Sequence, residues 1–513
     1  MEGSFFLHLL EFMAALFVAV VGALALIGVA LYIHDTHQTK SAILRNYPVV
    51  GHFRYWLEHL GEFLRQYFFA MDREEMPFNR AQRSWVYRAA KNLDNTVAFG
   101  STTNLSTPGT ALFTNCAYPV LETDLAPMKP RIIGQYCREP YEARSFFNIS
   151  GMSYGALSTP AIRALSRGAA QAGCWMNTGE GGLAQAHLEG GCDVVFQIGT
   201  AKYGVRDLHG NLSDEKLREV AAIPQIKMFE LKLSQGAKPG KGGILPAEKV
   251  TAEIAHIRGI PVGQASISPN RHPEINNEQD LLDMLNHIRE VTGKPVGFKA
   301  VVGGYRWLEK LFREVQRRGI ESAPDFITLD SSDGGTGAAP MSLMDYVGLP
   351  IQETLPNVVD MLYKFGLRDR IRIIAAGKLL NPSQVAWALC AGADFVNNAR
   401  GFMFSLGCIQ AMQCNKNTCP TGITTHNPRL QKGLVVEDKA TRVANYHHNL
   451  VHEVETIAHS CGVHEPRELR RQHCRIVQPN GKIIPLDQLY PYPKRSAKPA
   501  ATMENNPSDM MDV

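Results

Sequence analysis

Three cysteines fall within twelve residues of one another, Cys408, Cys414 and Cys419 in GCIQAMQCNKNTCPTG. Thiolates at these spacings, the last followed by Pro420, can each hold one iron of an iron–sulfur cluster. No fourth cysteine stands nearby, so the set suits a three-iron cluster. A structural zinc site would ask for four N or S ligands at Cys-x2-Cys-type spacing. Unliganded core thiols would not need to fall so close together. Both stay open as alternatives. The other seven, Cys116, Cys137, Cys174, Cys192, Cys390, Cys461 and Cys474, are scattered and read as small buried hydrophobes.

A redox cluster needs an electron acceptor within reach. The segments AAGK (Ala375 to Lys378) and GADFVNNARG (Gly392 to Gly401) offer a phosphate site for a flavin. In barrels the loops after the last two strands donate backbone N–H groups to a phosphate, and Gly permits close approach. Arg400 could add a charge-assisted bond. Glycine after a strand is also an ordinary turn. The chain order favours the site, because Cys408 follows eight residues after Arg400.

The elements that must position these groups are visible as eight short apolar, β-branched runs alternating with helical patterns. They are Phe146–Ser150, Cys174–Gly179, Val194–Gly199, Met228–Leu233, Pro295–Ala300, Phe326–Ser331, Ile371–Gly377 and Phe395–Arg400. Strands apolar on both faces belong to a parallel sheet covered on both sides, and eight close a (β/α)8 TIM barrel, an α/β fold. An open doubly wound sheet is the alternative. The glycines cluster just after the strands, in SGMSYGALS, NTGEGG, QGAKPGKGG, DGGTGAAP and AAGK, which favours the barrel because these loops would meet at one face. No GxGxxG follows a strand, so a nicotinamide-binding Rossmann unit is not expected.

The 513 residues are 45% hydrophobic and 20% charged, which excludes a disordered or disulfide-stapled chain. Lys and Arg outnumber Asp and Glu by 53 to 49, so no nucleic-acid partner is expected. Ten cysteines at this length argue for a reducing compartment. From Phe12 to Ile33 there are 22 residues without a charge, about 33 Å as a helix, enough to cross a bilayer. A signal peptide would have a basic start and a shorter apolar stretch. Glu2 and Glu11 precede the span, and Lys40 and Arg45 follow it. The positive-inside bias therefore predicts a single-pass inner-membrane protein with its catalytic part cytoplasmic. The expected organisation is an anchor over 1–33, a helical collar or linker over 34–135, and the barrel over 136–450 with its cluster segment at 401–425. A C-terminal extension over 451–492 and a polar, Pro-rich, disordered tail over 493–513 complete it.

The segments SGMSYGALS (150–158), NTGEGG (177–182), ELKLSQGAKPGKGG (230–243), ISP (267–269) and DGGTGAAP (333–340), with the cysteine spacing, come in the same order as in a known family. Over about residues 130–450 the chain resembles the FMN-binding synthase domain of glutamate synthase. With its anchor and collar it is similar to the stand-alone FMN-binding glutamate synthase family proteins. The resemblance implies FMN, a [3Fe-4S] cluster held by Cys408, Cys414 and Cys419, and reductive amination of 2-oxoglutarate to glutamate. Electrons would pass from the cluster to FMN. Carried over by motif, Ser150, Gly151, Met152 and Ser153 line the flavin ring, with Gln197, Lys232 and Lys299 nearby. Gly377, Ala399 and Arg400 hold its phosphate, Lys238 and Arg258 clamp the carboxylates of the oxo acid, and Glu180 faces ammonia. Each role is chemically sensible: Lys238 supplies a point charge and Arg258 a fork for carboxylates, and Lys299 would favour a reduced anionic flavin.

Three departures qualify the resemblance. The amidotransferase domain of full glutamate synthases, with its N-terminal cysteine, has no counterpart here, so ammonia is expected from solution or another subunit. Ile244 stands where the family has a glutamine near the substrate, which loses a hydrogen bond worth about 1 kcal/mol and leaves the 2-oxo acid open. No pyridine-nucleotide domain is recognisable, so the expected donor is ferredoxin or a separate reductase subunit. The alternative to an aminating enzyme is a cofactor-bearing electron-relay or scaffold subunit of an amino-group-transfer complex.

Overall fold

The computed structural model describes residues 2–124 and 128–493. The chain forms two compact units, Met1–Ala81 and Gln82–Val513. Residues 494–513 of the expected tail lie outside the described residues.

In the second unit eight parallel strands close a barrel: β1 (Phe147–Ile149), β2 (Met176–Asn177), β3 (Val194–Ile198), β4 (Ile226–Lys232), β5 (Val296–Val301), β6 (Phe326–Asp330), β7 (Arg372–Ala376) and β8 (Phe395–Asn398). Each overlaps one of the eight expected runs, and they follow sequence order around the ring. The ring closes where Val396 of β8 pairs with Phe147 of β1. Every residue of β3, β5, β6 and β8 is buried. A sheet packed on one side by the barrel interior and on the other by helices demands this. The outer helices begin at good caps. Ser158, Ser213, Asn277 and Asn381 each accept a backbone N–H of the first turn of Thr159–Ala172, Asp214–Ala221, Glu278–Thr292 and Pro382–Ala391.

The hairpin of Arg131–Ile133 and Tyr141–Ala143 closes the N-terminal end of the barrel. Its Ile133, Tyr141 and Ala143 are buried with Trp175, Val195, Met228, Phe326, Ile374 and Phe395. Between β4 and β5 runs a long connection that shapes the opposite end. It contains the antiparallel pair Ile244–Leu245 and Ser266–Ile267, and the short helix Ala252–Arg258. Thr251 caps that helix, and Gly259 ends it at φ 60°.

The expected collar is helical only as far as Ala90, through Ala42–Asn46, Gly51–Leu64 and Arg80–Ala90. From Lys91 to Arg138 the described residues are irregular, with short strands at Ala111–Phe113 and Arg131–Ile133 and one 3-10 turn at Glu122–Asp124. The stretch NLDNTVAFGSTTNLSTPGT is rich in side chains that bond their own backbone and so compete with a helix. Asp94 accepts from Thr96 N and Asn104 from Ser106 N in this way. Beyond the barrel, helix Val436–Ser460 crosses the expected boundary at 450. Cys474–Val477 lies between Ala111–Phe113 and Ile483–Pro485 in a three-stranded antiparallel sheet.

The first unit is led by helix Glu2–His37. Its stretch Phe5–His37 is long and apolar enough to cross a membrane, and the most apolar part of that stretch is not packed inside the protein.

Candidate active site

The glycine-rich loops meet at the C-terminal ends of the strands, around an outer and an inner cavity. Gly151, Gln197, Lys232, Gln235 and Arg400 line both, so the two are continuous. Two glycines show how tightly the loops converge. Gly179 has φ 66°, and a Cβ there would stand 2.5 Å from Ser153 N; Gly377 has φ 106°, and its Cβ would stand 2.4 Å from Ser331 Cβ. No other residue fits either place.

The inner recess gathers Ser150, Gly151, Gln197, Lys232, Lys299, Gly377, Ala399 and Arg400, eight of the ten residues expected at a flavin. Met152 and Ser153 line the outer cavity instead. Beneath the recess Glu230 is almost fully buried and accepts from Asn177 Nδ2 at 2.9 Å, Gln197 Nε2 at 2.6 Å and Thr328 Oγ1 at 2.6 Å. The Gln197 amide N is thereby committed to Glu230, and its carbonyl is left for the cavity. Lys299 is not the bare charge expected. Its Nζ stands 3.0 Å from Asp330 Oδ2, and although burial alone would lower its pKa, Asp330 and Glu230 hold it above the ordinary value. A flavin mononucleotide fits these donors. Asn397 Oδ1 is buried in the recess without a hydrogen-bond partner, ready for a ring N–H, and Arg400 with the backbone at Gly377 and Ala399 offers a phosphate cradle.

The outer cavity holds Glu180, Lys238 and Arg258, together with Ile244, which contributes an exposed apolar side chain. Lys232 Nζ stands 2.9 Å from a Glu180 carboxylate oxygen. Burial alone would raise the pKa of Glu180, but Lys232, then Lys238 and Arg258, hold it below the usual carboxylate value. The carboxylate is therefore ionised. Arg258 is buried; its Nη1 donates to Ser266 Oγ at 3.0 Å and its Nη2 to the Tyr154 carbonyl at 2.9 Å, while its Nε has no partner. Lys238 is also buried, and burial lowers its pKa against the pull of Glu180. Among the described residues no carboxylate lies within ion-pair distance of Lys238 or Arg258.

Of the three cysteines only Cys414 lines the outer cavity, with the Arg400 guanidinium 3.9 Å from its sulfur. Among the described residues no three His, Cys, Asp or Glu side chains are gathered to hold a metal ion. The three thiols share one sharply turned loop, with positive φ at Gly407, Gln410, Met412 and Asn417. They also feel one another: burial first, then the charges of Cys414 and Cys419, push the Cys408 thiol up to about 11 against the pull of Arg400. Cys419 is held below its ordinary value by hydrogen bonds from Thr421 and Thr424 despite burial. Among the scattered cysteines, Cys116 and Cys137 are half-buried rather than core residues. Cys137 stands 3.4 Å from Asp325, and burial with that carboxylate pushes it up to about 12.

Four residues of the site stand outside the sequence expectations. Gln235, which bonds Lys232, lies inside the QGAKPGKGG loop and was within reach of a motif reading. Glu230 likewise opens the ELKLSQGAKPGKGG segment, whereas Asp330 and Lys249 lie in no quoted motif. Lys249 is buried, and its Nζ donates to the Ala156 carbonyl at 2.9 Å and the Cys414 carbonyl at 3.2 Å, tying the first loop to the cysteine loop. Burial lowers its pKa to about 8 although Cys414 and Cys419 pull it up.

A closed barrel whose mouth collects buried cations, an ionised carboxylate and an orphaned amide is built as an enzyme of the (β/α)8 class. Residues 107–464 match the model of the conserved region in glutamate synthase. The chain is 41% identical over 497 residues to the glutamate synthase large subunit-like protein YerD of Bacillus subtilis, covering 90% of this chain and 94% of that one. It is 36% identical over 324 residues to the archaeal-type glutamate synthase (NADPH) of Thermotoga, and 35% over 339 residues to the archaeal glutamate synthase (NADPH) of Methanocaldococcus jannaschii. It spans 60% and 61% of the length of those two relatives. The chain belongs to the glutamate synthase family and is a glutamate synthase-like oxidoreductase.

Proposed function

We propose that this protein is a membrane-tethered FMN and iron–sulfur oxidoreductase that reductively aminates a 2-oxo acid, 2-oxoglutarate or a close relative, to the amino acid. The observation that carries the reading is the surplus of cations in the outer cavity, where Lys238 and Arg258 are buried, the Nε of Arg258 has no partner, and among the described residues no carboxylate lies within ion-pair distance of either. Buried charge without a partner is costly, and an anionic substrate relieves the cost. Lys238 and the free Nε of Arg258 would bind carboxylates of the oxo acid. Glu180, ionised beside Lys232, would draw in ammonium, take the proton it must shed before attacking the carbonyl, and return one to the departing water. A bound FMN would supply hydride chemistry at the imine carbon, and a cluster on the cysteine loop would supply electrons. The phosphate would rest on Arg400 and the backbone of Gly377 and Ala399, the ring against Ser150 to Ser153 and Gln197, and the cluster on Cys408, Cys414 and Cys419.

Ammonia would come from solution or another subunit and electrons from ferredoxin or a separate reductase subunit. Helix Glu2–His37 would anchor the chain, with residues 34–513 on the cytoplasmic side. The test is direct. The protein is reduced anaerobically with dithionite and mixed with 2-oxoglutarate and ammonium, and flavin reoxidation is followed together with glutamate formation. Both are expected. A protein that carries the cofactors but is reoxidised by no 2-oxo acid would be an electron-relay or scaffold subunit, and a colourless protein would remove both readings.

A further inference from the structure

The apolar span does not stand alone. Helix Gly51–Leu64, extended by a π turn through Phe69, has one face made of Phe53, Trp56, Leu57, Leu60, Leu64 and Phe68 at helical spacing. Arg54, Glu58, His59 and Arg65 fall on the other side. The apolar face is bare: Phe53 is 63% exposed, Trp56 59%, Leu57 56% and Phe68 76%. Contiguous aromatic surface of this kind is rare against water.

The junction with the span says what covers it. Asp35, two residues from the end of helix Glu2–His37, is fully buried, accepts from Val49 N at 2.9 Å and lies 2.9 Å from His52 Nε2. Val49 itself has φ 64°, a costly value for a β-branched residue, and the Asp35 carboxylate holds it there. This clasp fixes the start of the second helix at the end of the first. Asp35 lies just past the uncharged stretch Phe12–Ile33, at the level where a span leaves the acyl chains. From that point the second helix departs rather than packing along the span.

We infer that helix Gly51–Leu64 and its extension form an interfacial helix, with the Phe53/Trp56/Leu57/Phe68 face embedded at the boundary of headgroups and acyl chains. The partner is a lipid surface, and the inference rests on the anchor reading above. Asp35, His52 and the strained turn at Val49 act as the bracket that turns a vertical helix into a horizontal one.

The test uses the full chain reconstituted in phosphatidylcholine–phosphatidylglycerol vesicles whose acyl chains carry bromine at a shallow or a deep position. Flotation with the vesicles reports the anchor, and quenching of tryptophan emission reports the helix. Shallow bromines are expected to quench more than deep ones, and Trp56→Phe is expected to lose most of that quenching while still floating. Failure to float would remove the anchor reading. A floating protein whose lipid quenching is unchanged by Trp56→Phe would overturn the inference. A second copy on the same face would likewise overturn it, and would show as a dimer in detergent that Phe68→Asp converts to monomer.

Discussion

The two ends of the barrel bury the same kinds of side chain and treat them in opposite ways. At the floor, before β6, Asp325 is fully buried and pairs with Arg289 at 2.9 Å and Arg370 at 2.9 Å. Asp394, before β8, pairs with Arg368 at 2.9 Å and accepts the Ile373 N–H. At the mouth Lys238, Lys249 and Arg258 are as deeply buried, with no carboxylate in ion-pair distance among the described residues. Charges at the floor complete one another and hold the fold. At the mouth Lys232 and Lys299 are paired with Glu180 and Asp330 and Lys249 bonds two carbonyls, but Lys238 and the Nε of Arg258 are left for ligands, and the chemistry of a barrel gathers at that end.

The strongest attack on this contrast is at the floor. Asp325→Ala strands the buried Arg370 guanidinium and takes the partner of the half-buried Arg289, and is expected to cost about 3–5 kcal/mol, read by urea unfolding. Stability within about 1 kcal/mol of the parent would erase the distinction. At the mouth the expectation reverses. Lys238→Met should leave unfolding unchanged or stabilised yet weaken 2-oxoglutarate binding by about 1.5–3 kcal/mol, read by titrating the flavin spectrum; Arg258→Met should weaken binding as much but also lose the bonds to Ser266 and Tyr154, at about 1 kcal/mol each of stability. Loss of flavin from Lys238→Met would assign that lysine to the cofactor instead.

A smaller effect sharpens the comparison through pH. Burial lowers His187 and His272 to about 4 and His447 to about 3. Between those values and the ordinary value near 6.5 the unfolded chain binds protons that the folded one does not. Stability is therefore full above about pH 6.5 and falls on acidification by about 1.4 kcal/mol per unit for each histidine. His447→Gln, whose ring nitrogen lies 2.8 Å from Ser145 Oγ, should reduce the slope of stability against pH by about one proton. An unchanged slope would show that His447 is protonated in the fold. The smallest change is Ile244→Gln at the cavity wall, expected to lower KM for 2-oxoglutarate by about 1 kcal/mol, roughly fivefold. No change would mean that the natural acid places nothing polar there.

Much of this was legible in residue types. The eight strands announce themselves as runs apolar on both faces, and the glycines mark where loops must touch, as Gly179 and Gly377 do. Lys238, Arg258 and Glu180 lie in or near motifs and do share one cavity. The collar is helical only to Ala90, because aromatic helical spacing upstream says nothing about a following Ser/Thr/Asn-rich stretch. The Lys299–Asp330 pair was illegible because the two sit on neighbouring strands some thirty residues apart, and only the register Val301 to Asp330 brings their side chains together.

Sequence by itself determined which residues can titrate, ligate or turn, because those are properties of side chains and of local φ and ψ. It determined the barrel, because period and burial on both faces admit few other architectures. Tertiary structure alone decided which charges are spent. Lys232 is taken by Glu180, Lys299 by Asp330 and the floor arginines by Asp325 and Asp394, and Lys238 and Arg258 are left over. The physical reason is that pairing depends on distances of about 3 Å between atoms far apart in the chain, and those distances exist only once the ring has closed.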